Sequence, residues 1–282
     1  MIGTKARGRF LLLAFLCLLA GGSDGAAAEN REAEADAWGR AGLSIGGYML
    51  AIDSEVGLGL KGLQTNINME EALDLDVSYT VFRADGFYRF TANRRHRLDL
   101  SWYALRREGL RRLTQDLTIG DTTYLTGTTV ASSFNLDIYK LAYSYSLFQD
   151  DRMDLAAGIG AYVMPIELAF SSVGGVQENE SESFTAPLPV ITLRTDFAIT
   201  PKLYLLNRID LFYMQIGSYK GGITNLNIAL EYMFFKRFSA GLGFETFNLK
   251  VNAENSSYPP ADFVGEINYR NVGLMGFLKY QF

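Results

Sequence analysis

Residues 272–282 read V-G-L-M-G-F-L-K-Y-Q-F. In an extended strand successive side chains point to opposite faces. Val272, Leu274, Gly276, Leu278, Tyr280 and Phe282 therefore share one face. Gly273, Lys279 and Gln281 share the other, with Met275 and Phe277 as apolar exceptions. The sequence closes on Phe282.

Working back from this stretch, the same two-residue period recurs. In Thr224–Phe234, Leu226, Ile228, Leu230, Tyr232 and Phe234 lie opposite Asn225, Asn227, Ala229 and Glu231. In Leu203–Tyr213, Leu203, Leu205, Ile209, Leu211 and Tyr213 lie opposite Tyr204, Arg208 and Asp210. Arg97–Ala104 and Phe82–Phe90 repeat the pattern with Arg97, Asp99, Arg83, Asp85 and Arg89 on their polar faces. Leu43–Ala51, Phe134–Leu147, Leu155–Val163, Leu188–Ile199 and Phe238–Thr246 complete a set of ten runs. Most are about the length that a tilted strand needs to cross a bilayer. Phe134–Leu147 changes phase near Ile138–Tyr139, which predicts a bulge there. The connections alternate. Ile52–Asp76, Arg107–Val130, Ser171–Pro187, Gly217–Gly222 and Asn252–Ile267 are mostly long. Thr91–His96, Gln149–Arg152, Thr200–Lys202 and Lys236–Arg237 are short and polar.

A final strand with an apolar face and aromatics at its last and third-last positions resembles the C-terminal signature of bacterial (Gram-negative) outer-membrane β-barrels. Leu278, Tyr280 and Phe282 carry it. The resemblance implies a small barrel whose terminal strand is read by the barrel-assembly machinery. The fold expected is all-β: a single antiparallel up-and-down transmembrane β-barrel of ten strands, with eight as the alternative count. Ten strands place both termini on the periplasmic side. The competing fold is a soluble β-sandwich with the apolar face as its core. Charges recur opposite the apolar face, which suits a barrel interior. Aromatics gather near the short turns (Phe90, Phe148, Phe234, Phe235, Phe238, Tyr280, Phe282), as in an interfacial girdle.

The N-terminus supports export. Lys5, Arg7 and Arg9 precede the apolar run Phe10–Ala20, and Ala26-Ala27-Ala28 offers a cleavage site, so residues 1–28 read as a signal peptide. Eleven apolar residues are too few for the ~20 of a spanning helix. Cys17, the only cysteine, lies in this run, and Leu16 before it departs from a lipoprotein signal, so a mature chain would carry no thiol. Loss of Lys5, Arg7, Arg9 and Asp24 takes the net charge from −5 to −7, which argues against nucleic-acid binding. Residues 29–40 form a polar periplasmic lead-in, and the barrel is expected over 41–282.

The expected lumen carries seven cations, Arg83, Arg89, Arg97, Lys140, Arg194, Arg208 and Lys279. Against them stand seven anions, Asp85, Asp99, Asp137, Asp196, Asp210, Glu231 and Glu245. The hairpin at Thr200–Lys202 is expected to set Arg194 opposite Asp210 and Asp196 opposite Arg208. The set reads either as a locked network filling a narrow lumen or as a polar path for small solutes.

Arg106, Arg107, Arg111 and Arg112 stand where a strand leaves the apolar band. Guanidinium groups suit phosphate, so these residues are candidates for lipopolysaccharide contact. Glu70, Glu71, Asp74, Asp76, Glu178, Glu180 and Glu182 lie in long loops without EF-hand spacing, and read as solvated acidic surface rather than a metal site. Gly57, Gly59 and Gly62 fit G-x-G-x-x-G, but no helix pattern follows. His96, the only histidine, falls in a short turn among Arg94, Arg95 and Arg97. Outer-membrane enzymes such as omptins and lipid A deacylases place a His at or near the extracellular end, so no catalytic residue, metal or cofactor is assigned. Three roles remain: a structural, surface-interaction or lipopolysaccharide-contacting barrel, a narrow solute channel, and, less favoured, an embedded hydrolase.

Overall fold

Alternation of this kind forces a choice of which face is solvated by what, and closure of the sheet removes the exposed edges that would otherwise aggregate. The computed structural model describes residues 38–58, 65–68, 78–114, 116–119, 122–173, 179–216, 219–253 and 265–282. The strands are β1 (Ala41–Leu58), β2 (Thr65–Asn68), β3 (Ser78–Arg89), β4 (His96–Arg112), β5 (Leu117–Ile119), β6 (Thr122–Tyr124), β7 (Thr129–Gln149), β8 (Met153–Val173), β9 (Asn179–Thr200), β10 (Leu203–Ile216), β11 (Tyr219–Phe235), β12 (Phe238–Ala253) and β13 (Gly265–Gln281). All neighbouring pairs are antiparallel. β13 returns to β1, in register from Gly42 opposite Gln281 to Leu58 opposite Gly265, and so closes a ten-strand up-and-down barrel. β2 extends β1 locally, and β5–β6 is a separate hairpin in a long connection. Beside that hairpin, the exposed Asp116 carboxylate accepts from the N–H and hydroxyl of Thr126 (2.7 Å each), which holds it below the ordinary carboxylate range.

All ten runs read from the pattern are barrel strands, and the short turns join β3–β4, β7–β8, β9–β10 and β11–β12. The strands are longer than the runs. At roughly 3.3 Å per residue, the 21 residues of β7 and β8 extend far beyond what a tilted crossing needs.

The extra length changes polarity half-way up the wall. On β12 the outward residues run Phe238, Ala240, Leu242, Phe244, then Thr246, Asn248, Lys250 and Asn252. Its inward residues run Ser239, Gly241, Gly243, Glu245, then Phe247, Leu249 and Val251. On β4 the outward Leu98, Leu100 and Trp102 give way to Arg106 and Glu108, while the inward Arg97, Asp99 and Ser101 give way to Tyr103 and Leu105. The barrel therefore has two storeys. Near the short turns it is apolar outside and charged inside. Toward the long loops it is mostly polar outside, Leu110 excepted, and mostly apolar inside, with Arg107 and Asn271 buried among the apolar side chains.

The upper interior is a packed core. Phe247, Met164 and Leu105 are wholly buried, and Leu136, Ile138, Ile166, Leu168 and Leu249 are nearly so. Each such side chain contributes about 1.5–3 kcal/mol on burial. Aromatic rings floor this core: Tyr162 meets Phe247 at 5.6 Å, Phe247 meets Tyr269 at 6.1 Å, and Tyr48 meets Tyr103 at 5.5 Å. The apolar exceptions Met275 and Phe277 point inward, and glycines make room for rings. A Cβ on Gly241 would stand 2.2 Å from Phe277.

The expected bulge at Ile138–Tyr139 is absent. Inward residues run unbroken from Val130 to Ser146, and the register shifts between Ser146 and Phe148 instead. Leu136 and Ile138 are apolar because they face the upper core. The backbone near Asp137 departs from the ladder for another reason: it lies opposite Pro165, which has no N–H to give.

Candidate functional site

The charged storey is the densest chemical constellation among the described residues. Alternation on each strand aims its polar residues at one axis, and the barrel is narrow enough for them to meet across it. One chain of ion pairs runs Arg89–Asp154 (2.7 Å), Asp154–Arg194 (2.9 Å), Arg194–Asp196, Asp196–Arg97 (3.7 Å), Arg97–Asp99 (2.7 Å) and Asp99–Arg208 (2.9 Å). These ties join β3 to β8, β9 to β4, and β4 to β10, none of which are neighbours in the sheet.

A second group lies beneath the aromatic floor. Arg83 bridges Asp85 (3.0 Å) and Glu245 (2.6 Å). Asn225 donates to Glu245 (3.3 Å) and to the Tyr162 hydroxyl (3.1 Å), which in turn donates to Asp210 (2.7 Å). Asp210 also takes Lys140 (2.5 Å) and the Thr192 hydroxyl (2.7 Å). The Arg83 guanidinium lies 5.6 Å and 5.4 Å from the rings of Tyr48 and Tyr103, so a cation caps the apolar core. A third pair, Lys279–Glu231 (2.6 Å), is completed by Ser239.

Thirteen of the fourteen expected lumen residues point inward: Arg83, Asp85, Arg89, Arg97, Asp99, Lys140, Arg194, Asp196, Arg208, Asp210, Glu231, Glu245 and Lys279. Asp137 does not. It is on the outward face, paired with Arg106 at 2.6 Å. Its place among the inward anions is taken by Asp154, wholly buried and bound by two arginines. The signal for Asp154 was its two-residue phase with Ala156, just beyond the run assigned to that strand. Within the charged storey the count stays at seven cations and seven anions among the described residues.

The expected pairs across β9–β10 are not formed. Thr200 accepts the N–H groups of Lys202 and Leu203 through its hydroxyl, and the ladder shifts between Leu203 and Tyr204. The register is two residues tighter than expected, so Arg194 stands opposite Arg208 and Asp210 opposite Thr192.

The four arginines of the upper half of β4, Arg106, Arg107, Arg111 and Arg112, separate as the strand alternates. Arg106 and Arg112 are outward and exposed. Arg107 turns inward and is wholly buried, its guanidinium 5.9 Å from the Phe134 ring, so it cannot contribute to an outer phosphate site. Arg111 is half-buried on the inward phase. Leu278, Tyr280 and Phe282 lie on the outward face. His96 also faces outward, in an aromatic group with Phe90, Tyr143 and Tyr145, and its Nδ1 meets the Tyr143 hydroxyl at 2.7 Å. The signal peptide with Cys17, and the loop residues Glu70, Glu71, Asp74, Asp76 and Glu178, lie outside the described residues, as do Gly59 and Gly62 and the side chains of Glu180 and Glu182.

Within the charged layer a polar cavity of about 120 Å³ remains, lined in part by Asp85, Arg97, Asp99, Arg208 and Lys279. Trp38 lies at its margin, its indole N–H donating to the Asp150 carbonyl (2.6 Å) while Arg94 donates to the Trp38 carbonyl (3.0 Å).

No protein-family model and no curated protein sequence matches the chain. Among solved structures, the outer membrane protease OmpT of Escherichia coli is similar at a TM-score of 0.50 and 10% identity, over 86% of this chain and 96% of that one. The outer membrane protein OprG of Pseudomonas aeruginosa follows at 0.38 and 9%, over 86% and 97%, and the toluene transporter TbuX of Ralstonia pickettii at 0.37 and 10%, over 87% and 90%. The likeness to the first is one of fold: the chain has the architecture of a small outer-membrane β-barrel.

Proposed function

We propose that this chain is an integral outer-membrane protein with a closed lumen, acting through its surfaces in a structural, surface-interaction or lipopolysaccharide-contacting role. The polarity inversion carries the reading. The lower outward face is apolar over about the depth of a bilayer. Above it the wall is polar outside and filled inside by side chains such as Phe247 and Met164, which leave no exposed surface. A layer of charges tied across the barrel lies below. Two stacked fillings of opposite polarity suit a rigid platform raised above the membrane.

In this reading both termini face the periplasm, and Leu278, Tyr280 and Phe282 are read by the assembly machinery. Arg106 and Arg112, outward above the apolar band, support contact with lipopolysaccharide phosphates. The outward, short-turn position of His96 supports a role without catalysis. Purified protein in planar bilayers is expected to give no stepwise current. The 120 Å³ cavity favours a second reading, a narrow channel for small solutes, which stable single-channel steps would promote over the first. Recovery of the mature protein in the soluble periplasm would overturn both.

A further inference from the structure

The cations of the short turns are not equivalent. The four turns carry Arg94, Arg95, Arg152, Lys202, Lys236 and Arg237 against Asp150 and Asp151. Arg94 is turned onto Trp38, and Arg152 sits beside two carboxylates. The β11–β12 turn, Lys236–Arg237, has two exposed cations and no acid. It is also flanked by rings. Phe235 and Phe238 are exposed on either side of it. Phe238 packs on Tyr280 (4.8 Å) and Tyr280 on Phe282 (4.9 Å). Arg237 donates to the Tyr280 hydroxyl (3.3 Å), which fixes the guanidinium beside the ring cluster.

We propose that this corner is a binding site for one anionic phospholipid of the leaflet at the short-turn end. Lys236 and Arg237 take the phosphate, since an ammonium and a guanidinium both donate to phosphate oxygens and neither forms an ion pair with a carboxylate among the described residues. Phe235, Phe238, Tyr280 and Phe282 take the glycerol and upper acyl carbons, the amphipathic level at which aromatic rings settle in a membrane. The inference rests on the membrane reading of the lower storey. The charges are exposed, so the site weakens as salt rises.

The test uses the full mature chain refolded without cellular machinery, so that any role of Phe282 in assembly does not enter. The protein is placed in nanodiscs of equimolar phosphatidylglycerol and phosphatidylcholine with identical acyl chains, released, and weighed by native mass spectrometry. The wild type is expected to retain phosphatidylglycerol over phosphatidylcholine by about thirtyfold, the order expected of two surface cations. K236Q with R237Q should fall to near parity, and Tyr280→Phe, which removes only the hydroxyl holding Arg237, should fall part of the way. R152Q with K202Q serves as the control and should keep the preference. No preference in the wild type, an unchanged preference in K236Q with R237Q, or an equal loss in the control would overturn the site. Failure of the wild type to enter nanodiscs would instead overturn the membrane reading itself.

Discussion

Replacing Asp210 by Ala removes the acceptor for three buried donors at once: Lys140 Nζ, the Tyr162 hydroxyl and the Thr192 hydroxyl. The side chains of Lys140 and Asp210 are almost fully buried, so water cannot replace what is lost. Stranding one member of such a pair costs about 3–5 kcal/mol. Exposed pairs are worth about 0–1 kcal/mol. The magnitude therefore reports directly whether the lumen is filled. Lys140→Ala combined with Asp210→Ala should recover part of the loss, a coupling of about 0.5–3 kcal/mol. Arg194→Ala combined with Asp210→Ala should be additive to within about 0.5 kcal/mol. Arg194 binds Asp154 and Asp196, and has no hydrogen-bond partner in common with Asp210. The assay is equilibrium unfolding in guanidinium chloride of the barrel refolded in detergent, followed by tryptophan fluorescence and by the gel shift between folded and unfolded forms. Additive sub-kcal effects at Lys140 and Asp210 would refute the filled-lumen argument. Strong coupling of Arg194 to Asp210 would refute the register.

The outward pair gives the contrast. Asp137→Ala should cost less than about 1 kcal/mol in the same assay, because the Arg106 side chain across from it is half exposed. Phe247→Ala should cost about 3–5 kcal/mol, as for other large-to-small core changes. The Lys140→Ala, Asp210→Ala double variant should remain silent in planar bilayers, because the apolar core above the charged layer is intact; stepwise currents would make the charges the barrier. Deleting Phe282 should lower the amount of barrel assembled in cells more than it lowers unfolding stability in vitro, and normal cellular levels would remove the terminal strand's role as a signal. Arg112→Glu should leave the unfolding midpoint within experimental error while Arg107→Glu lowers it, since only the second introduces a charge reversal into the buried core.

Strand identity and number, and facing in the lower storey, were legible in the sequence because they are local. A period of two states which residues share a face, as in Leu226–Phe234, and the alternation of short and long connections states how the strands are joined. The partners of the lumen charges were not legible. The β9–β10 register is two residues tighter than the turn alone indicated, and a shift of two preserves every facing while changing every cross-strand partner. Arg194 thus still points inward, but toward Asp154 and Asp196 instead of Asp210. The bonds that span the lumen, such as Arg83 to Glu245 across 162 positions of sequence, join strands that only closure brings together. Apolar character itself was ambiguous. In the lower storey it marks the outward face, and in the upper storey it marks the interior, which is why Leu136 and Ile138 suggested a bulge and Asp137 an inward charge. A side chain is apolar wherever water is excluded, whether by a surrounding membrane or by packing, and only the closed barrel decides which of the two excludes it at a given height.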